Sequence, residues 1–447
     1  MRYKILTTAL LVILPLTLTA CTLQDLPVVG KLFGGSSTPT TSPVTLNVWG
    51  MWENKEAFEA IASKYKELHP NVTINYDDRS VVKASSYHDT VFGRVAQEDV
   101  ADIVLVHNSW VPAIKASLSA MPATLMDAAT YSQTYYSVAG DSAVFDSKIY
   151  AVPAYYDGLV LVYNKQHFDA INQKTPPTAW EEFRRLALLL TVKSEKDALI
   201  RGGAAIGTAN NVDFFSDILG LMFAQAKISI PQDIDSKPAQ DALSFYTIFS
   251  MQDHVWDSSF PEAAAAFAQE RVSMIFVPSW ALLDILKVRP DLQIGVAPVP
   301  QVDSQNPVTW GSFWMYAVPS KSKNQATAWD FINFISQDDQ QKLLFSTASK
   351  YRTYGAPYAK IDLQSALTSS AVGIYLKPLL DSAPYAKSGL LTARAGNDLY
   401  VNALKDAVMA VTATSNDRKT PAEALKAAKA VMLGGATTTS GAGAAKQ

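Results

Sequence analysis

Strands and helices alternate through the first part of this chain, and this order constrains the fold more than any other feature. Residues 44–49 alternate apolar and polar side chains, and Asn54 then precedes a run with helical spacing of apolar residues. A second strand is predicted at 72–76, a helix around 87–97, and a buried apolar strand at 101–106. Strand, helix, strand, helix, strand predicts an α/β layer with parallel pairing and right-handed crossovers.

Ligands of such sheets bind beyond the carboxyl ends of the strands. The residues there are 49–53 after the first strand and 107–110 after the third. This position makes Trp52, Glu53, Asn108 and Trp110 candidate binding residues. For each tryptophan, simple packing within its domain is the alternative.

A second domain follows. Two extended segments within 149–165 are joined by a turn that contains Tyr156 and Asp157. Longer helices are predicted after them, at 180–191, 214–226, 239–250 and 261–269. Trp180, Trp329, Phe331 and Phe334 fall on helical faces at core spacing, which predicts packing.

The first 20 residues have the order of a secretory signal peptide. Arg2 and Lys4 precede an apolar run, and small residues lead to Cys21, the single cysteine. This end resembles the lipobox of bacterial lipoproteins, which implies cleavage before Cys21, lipidation of its thiol and anchoring to the outer face of the cell membrane. An uncleaved membrane span is the alternative, but only 16 residues are available where about 20 are needed.

The segments that flank the body have little capacity to fold. Residues 21–43 end in a stretch rich in Gly, Ser, Thr and Pro, which predicts a flexible tether of roughly 25 Å. Residues 434–447 are predicted to be a disordered tail. The chain carries 38 basic and 41 acidic residues, a net charge of −3, which excludes a generally basic nucleic-acid binder.

Several segments in the body occur in an order that resembles one known family, namely residues 159–165, 176–183, 266–280, 316–324 and 328–332, with a weaker match at 419–425. The family is the extracellular solute-binding proteins of bacterial ABC importers, family 1, of the maltose-binding type. The resemblance covers about 44–433. It departs from the family pattern at Glu270-Arg271 and at Ser279.

The resemblance implies a type II periplasmic-binding-protein-like fold with two α/β lobes joined by a hinge of several chain crossings. The first lobe would hold 44–151 plus 315–347, and the second 152–314 plus 348–433. A small-molecule solute, expected to be a sugar, would close the hinge. An importer permease would then receive it from a monomeric receptor that uses no cofactor.

The resemblance also adds candidate ligand contacts. It implies that Trp280 stacks on the ligand and that Asp157 accepts a hydroxyl, because sugars pair apolar faces with aromatic rings and hydroxyls with polar groups. Further candidates near the crossings and the second-lobe helices are Tyr156, Asp213, Phe214, Trp310, Phe313, Tyr351 and Arg352. Asp213 as a helix cap and Arg352 as part of a surface ion pair are the alternatives.

The sequence gives little support for an enzyme. The five histidines form no His-x-x-x-His pair, and no nucleophile elbow, phosphate loop or dinucleotide fingerprint occurs. We therefore predict no metal site and no catalysis. Two alternatives remain open: a glycoside hydrolase that uses Asp157 and Asp213, and a binding module that feeds a membrane sensor.

Overall fold

The structure, a computed structural model, describes residues 42–414 and 417–441 of the chain. The signal segment 1–20, Cys21, most of the tether and positions 442–447 lie outside the described residues. Signal cleavage, lipidation and the flexible tether therefore stay predictions.

The first sheet begins with the three strands that the sequence predicts. They are β1 (Val44–Gly50), β2 (Val72–Asp78) and β3 (Ile103–His107), and β1 pairs in parallel with both of the others. Two later strands, β6 (Val152–Pro153) and β13 (Trp314–Ala317), complete the sheet, with β13 antiparallel between β3 and β6. The order across the sheet is therefore β2, β1, β3, β13, β6.

Two helices connect these parallel strands. In α1 (Lys55–Leu68), the Asn54 side chain accepts a hydrogen bond from the N–H of Ala57 at 2.8 Å, so the predicted N-cap is confirmed. Helix α2 (Ala84–Arg94) begins and ends slightly earlier than its apolar pattern predicts. Both helices bury one apolar face; α1 packs on β2, and the Tyr87 hydroxyl of α2 donates to the carbonyl of Leu105 in β3 at 2.8 Å.

The second sheet has three strands. They are β7 (Leu159–Asn164), β10 (Met274–Pro278) and β11 (Ile294–Ala297), and β7 lies in the middle, antiparallel to both neighbours. The four helices that the sequence predicts after β7 are present within a few residues of their expected bounds, as α7 (Trp180–Leu190), α8 (Phe215–Gln225), α9 (Lys237–Met251) and α10 (Ala263–Ala268).

The remaining elements surround the two sheets or extend between them. The other helices are α3 (Val111–Ile114), α4 (Ala128–Thr134), α5 (Ser137–Ala143), α6 (Lys165–Ala170), α11 (Ser279–Val288), α12 (Gln325–Ile335), α13 (Asp338–Ala348), α14 (Gln364–Thr368), α15 (Gly373–Ser382), α16 (Asp398–Thr412) and α17 (Pro421–Gly441). The other strands are the short β4 (Val144–Phe145), β5 (Lys148–Ile149), β8 (Val192–Lys193), β9 (Leu199–Arg201), β12 (Thr309–Trp310) and β14 (Ala386–Lys387).

The chain passes between the two sheets three times. The first crossing joins β6 to β7, the second joins β12 to β13, and the third follows α13, which packs on α1, and leads to α15, which packs on β11. The crossings lie side by side. Gly158 pairs with Gly311, and the N–H of Tyr156 donates to the carbonyl of Pro357 at 3.0 Å. The two-lobed α/β architecture expected from the sequence is confirmed.

A few details differ from the expected layout. The strand Val152–Pro153 and the residue Trp314 both belong to the first sheet, although the expected boundaries assign them to the second lobe. The last helix continues to Gly441, past the expected start of the tail. Trp180, Trp329, Phe331 and Phe334 are buried, as their helical spacing predicts.

Candidate functional site

A cleft of about 610 Å³ opens where the three crossings meet the ends of the first-sheet strands. Its walls come from both sheets: the loop after β1, the ends of β3 and β13, the start of α11, and the segments 351–357 and 393–395. Six of the candidate residues line it, namely Trp52, Glu53, Asp157, Trp280, Tyr351 and Arg352.

On the first-sheet side, two tryptophans form an aromatic wall. Trp52 is 42% exposed and packs edge-on against Trp314, with ring centroids 5.1 Å apart. Its backbone lies in the left-handed region at φ 58°, and its N–H donates to Ser80. A large side chain rarely adopts this conformation, and such residues cluster at functional sites. The turn presents the indole to the cleft.

His107 lies at the floor of the cleft, at the end of β3. Its two ring nitrogens contact hydroxyl groups, with Nδ1 2.8 Å from Ser109 Oγ and Nε2 3.2 Å from Ser312 Oγ. Burial lowers the pKa of His107 to about 3, so the ring is neutral at pH 7. It therefore supplies a polar edge without adding charge.

Glu53 and Arg352 line one end of the cleft, and their charges interact. Burial raises the pKa of the Glu53 carboxyl, and the Arg352 charge and the N–H of Asn54 partly offset this effect. The Arg352 Nε atom is buried and has no hydrogen-bond partner among the described residues. Tyr351, next to it, is 62% exposed at the rim. This end of the cleft therefore offers a hydrogen-bond acceptor and an unused donor.

Trp280 forms the aromatic wall on the second-sheet side, in the first turn of α11. Phe214 packs edge-on against its ring at 5.6 Å, and the Arg394 guanidinium lies 5.3 Å from the ring centroid. Asp213 holds Arg394 by an ion pair of 3.2 Å and also accepts from the N–H of Ala264 near the start of α10. Phe214 and Asp213 thus support the wall from behind and do not line the cleft.

Asp157 lies in the first crossing and is 1% exposed. Its carboxylate accepts four hydrogen bonds, from the N–H groups of Gly158, Ser279 and Trp280 and from the Ser279 hydroxyl. Burial raises the pKa of Asp157 to about 6, although these four donors act to lower it. The carboxylate borders the cleft but is already engaged by the protein.

The structure places Asn108 and Trp110 in the core instead of the cleft. The Asn108 amide donates to Ser142 and Ser388, and the Trp110 indole N–H donates to the carbonyl of Ala395 at 2.7 Å. Both side chains are fully enclosed. They anchor the segment around Ser388 and Ala395 against the first sheet, because the chain after β3 turns inward at these positions.

Tyr156, Trp310 and Phe313 also lie behind the cleft wall. Tyr156 and Phe313 pack on each other at 5.7 Å, and the Trp310 ring packs against Gly220, where a side chain would collide with it. The reason is the alternation of extended backbone, which sends neighbouring side chains to opposite sides. Tyr155 and Asp157 face the cleft, so Tyr156 does not; Ser312 and Trp314 face it, so Phe313 does not.

Residues that the sequence interpretation missed complete the cleft. His107, Tyr155 and Trp314 each lie next to a chosen candidate, and the alternation of extended backbone was the signal that applied to the last two. The segment 393–395 carried no comparable signal. It bridges the lobes: the Ala393 N–H donates to Asp217 at 2.8 Å on the second-lobe side, and Ala395 contacts Trp110.

The chemistry of the cleft is that of a binding site for a polar molecule with apolar faces. Tryptophans stand on both sides, and between them lie carboxylates, a neutral histidine, hydroxyls and guanidinium groups. Within the described residues, no cluster of His, Cys, Asp or Glu has the geometry to hold a metal ion. None of the helices described is both long and apolar enough to cross a membrane.

This chain is similar in sequence to a known sugar-binding protein. The chain is 25% identical over 207 residues to the multiple sugar-binding protein of Streptococcus mutans, which covers 43% of this chain and 48% of that protein. The match thus spans about half the length of this relative.

Two solved structures share the fold. The cyclic alpha-maltosyl-1,6-maltose binding protein from Arthrobacter globiformis has a TM-score of 0.67 at 18% identity, over 88% of this chain and 99% of that one. An ABC transporter solute binding protein from Thermotoga lettingae, bound with alpha-D-tagatose, has a TM-score of 0.64 at 20% identity, over 87% and 99%. Residues 52–342, well over half of the chain, match the family model of the bacterial extracellular solute-binding proteins, and the chain belongs to that family.

Proposed function

We propose that this protein is a lipid-anchored extracytoplasmic receptor that binds a mono- or oligosaccharide in the cleft. The sugar closes the hinge and is delivered without chemical change to the permease of an ABC importer. The receptor acts as a monomer and needs no cofactor.

One observation carries the proposal: Trp52, Trp280 and Trp314 line a single cleft together with polar groups. Pyranose and furanose rings present apolar C–H faces that pack on indoles, and their hydroxyls need donors and acceptors around the rim. Glu53 supplies an acceptor and Arg352 a donor. The cleft volume of about 610 Å³ lies within the usual range for small-molecule sites.

The origin of the walls supports closure by the ligand. Trp52 lies in the loop after β1 and Trp314 in β13, both on the first-sheet side, whereas Trp280 lies in α11, which follows β10 of the second sheet. A sugar in contact with both walls makes its full set of contacts only when the lobes are together. It therefore shifts the population toward the closed state by that difference in contact energy.

The solved relatives also support a sugar. The Arthrobacter protein is named for a cyclic maltosyl-maltose and the Thermotoga protein is bound with tagatose, so this fold accommodates both an oligosaccharide and a monosaccharide in those proteins. The relative from Streptococcus mutans is named for multiple sugars.

Anchoring through Cys21 would place the receptor close to its permease. A tether of about 22 residues confines the body within a few tens of ångströms of the membrane, which raises the effective concentration of the pair. Palmitate labelling of the wild type and of Cys21→Ser in a bacterial host tests this part. Label on the wild type alone is expected, and equal label on both would contradict it.

The geometry does not favour glycoside hydrolysis by the two aspartates that the sequence offers. Asp157 accepts four hydrogen bonds from the protein, and Asp213 does not line the cleft and is paired with Arg394. Neither is positioned as a free acid or nucleophile on one sugar bond.

A thermal-shift panel tests the proposed ligand class. The panel contains maltotriose, mannotriose and D-tagatose, with spermidine as a non-sugar contrast, each added to the full mature chain. A ligand at 100 times its dissociation constant should stabilise the protein by about 2.7 kcal/mol. A shift with spermidine alone would contradict the sugar assignment, and release of smaller sugars from the oligosaccharides would contradict the receptor assignment.

A further inference from the structure

The Asp157 carboxylate has no capacity left for a ligand. An ionised carboxylate offers about four acceptor positions. Oδ1 accepts from the N–H groups of Gly158 at 2.7 Å and Ser279 at 2.8 Å. Oδ2 accepts from the Ser279 hydroxyl at 2.9 Å and the Trp280 N–H at 3.2 Å. A sugar hydroxyl would have to displace one of these protein donors.

Three of the four donors belong to the start of α11. The first N–H groups of a helix have no partner within the helix, and here the residue before it is Pro278, which has no side chain that can cap it. Asp157 supplies the missing acceptors from more than one hundred positions earlier in the chain. Its negative charge also lies at the positive end of the helix dipole. The position of Trp280 therefore depends on this carboxylate.

The same group of residues joins all three crossings. The carbonyl of Asp157 accepts from the N–H of Ser312 at 2.9 Å, which ties the first crossing to the second. The Tyr354 hydroxyl, in the third crossing, donates to the carbonyl of Ser279 at 2.6 Å. Any rearrangement of the crossings therefore reaches the first turn of α11 through these bonds.

We propose that Asp157 is a positioning residue: it fixes the first turn of α11, and with it Trp280, to the hinge, and it does not itself bind the ligand hydroxyls. This role deepens the proposed function and rests on it where it takes Trp280 as the ring that stacks on the sugar. It also assigns to Asp157 a task different from the hydroxyl acceptor that the family resemblance implies.

Asp157→Asn is the smallest substitution that disrupts the contact between Asp157 and the first turn of α11. The amide keeps one acceptor oxygen and the same shape, but its NH₂ group would face the N–H of Trp280, which then loses its acceptor. A displaced indole loses part of its stacking on the sugar, so we expect the affinity for the panel sugar with the largest shift to fall about tenfold, less than the roughly 30-fold expected for removal of the whole ring.

A double-mutant cycle separates positioning from direct contact. Isothermal titration is carried out with the same sugar on the wild type, Asp157→Asn, Trp280→Ala and the double variant. If Asp157 acts through Trp280, Asp157→Asn weakens binding about tenfold in the wild type and less than twofold when Trp280 is absent. An equal loss in both backgrounds would show direct contact and overturn the proposal.

A second measurement needs no ligand, so it stands even if the proposed function fails. The protein is labelled with 5-fluorotryptophan, and the ¹⁹F resonance of Trp280 is assigned by its loss in Trp280→Phe. Asp157→Asn should move this resonance, whereas the matched control Asp339→Asn, at an exposed position of α13 that does not line the cleft, should leave it in place. If the asparagine variant does not fold, Asp157→Glu takes its place. It keeps the charge but shifts the carboxylate, so it should also move the Trp280 resonance. An unmoved Trp280 resonance in the folded Asp157 variants would refute the positioning role, whatever the ligand.

Discussion

Replacing Trp280 by alanine should separate ligand affinity from stability. The ring lines the cleft and is only partly buried, so a bound pyranose is expected to cover about one third of its surface. At about 25 cal/mol per Å², a covered area of roughly 70 Å² contributes about 2 kcal/mol. The dissociation constant should therefore rise about 30-fold.

The cost to the empty protein should be smaller. Trp280→Ala removes an edge contact with Phe214 and the interaction with Arg394, together worth about 1–2 kcal/mol. Trp329→Ala is the matched control, because Trp329 is fully buried away from the cleft and its loss should cost about 3–5 kcal/mol. Urea denaturation of the ligand-free proteins and isothermal titration of each variant measure the two effects.

Two outcomes would contradict a ligand-stacking role for Trp280. If Trp280→Ala lowers the unfolding free energy as much as Trp329→Ala does, Trp280 is a packing residue. If it leaves the dissociation constant within twofold of the wild type, the sugar does not stack on this ring. Either outcome would remove the second-sheet wall from the proposed site.

Two further predictions concern the segment that bridges the lobes. Trp110→Phe leaves the buried carbonyl of Ala395 unpaired and should lower the unfolding free energy by about 1–3 kcal/mol in urea denaturation; an unchanged value would show that this bond is not needed. Burial raises the pKa of Asp217 to about 7, so the folded protein holds this proton more tightly than the unfolded chain does. The wild type should therefore lose stability relative to Asp217→Asn, by up to about 4 kcal/mol, as the pH rises from about 4 to about 7; parallel stability curves for the two proteins would contradict this.

The parts of the fold that depend on local pattern were predictable from the sequence. Alternating apolar residues placed β1, and Asn54 before a helical pattern placed the start of α1. The antiparallel insertion of β13 between β3 and β6 was not predictable, because it pairs segments about 210 and about 160 positions apart. Strands of two residues, such as β6, are also too short to show a period.

In the first and second crossings the sequence placed the cleft to within one residue, and the error there has a physical cause. The sequence places Tyr155, Tyr156 and Asp157 in the first crossing, but it does not say which face of the extended backbone turns to the cleft. Contacts with the other crossings decide which side chains face the cleft; one of them is the hydrogen bond from the Tyr156 N–H to the Pro357 carbonyl. For the same reason the sequence pointed to Phe313, whereas the neighbouring Trp314 lines the cleft.

The role of Asp157 shows a second limit of prediction from the sequence. An acid at the first crossing was correctly placed beside the cleft, yet its four donors come largely from a helix that begins more than one hundred positions later. Only the folded arrangement shows that its acceptor positions are filled.

Isothermal titration of the full mature chain with the panel sugars is the decisive test of whether this protein is a sugar receptor. We expect saturable binding of one sugar molecule per chain, with the sugar recovered unchanged afterwards. Absence of binding heat with every sugar, together with saturable binding of spermidine, would contradict it.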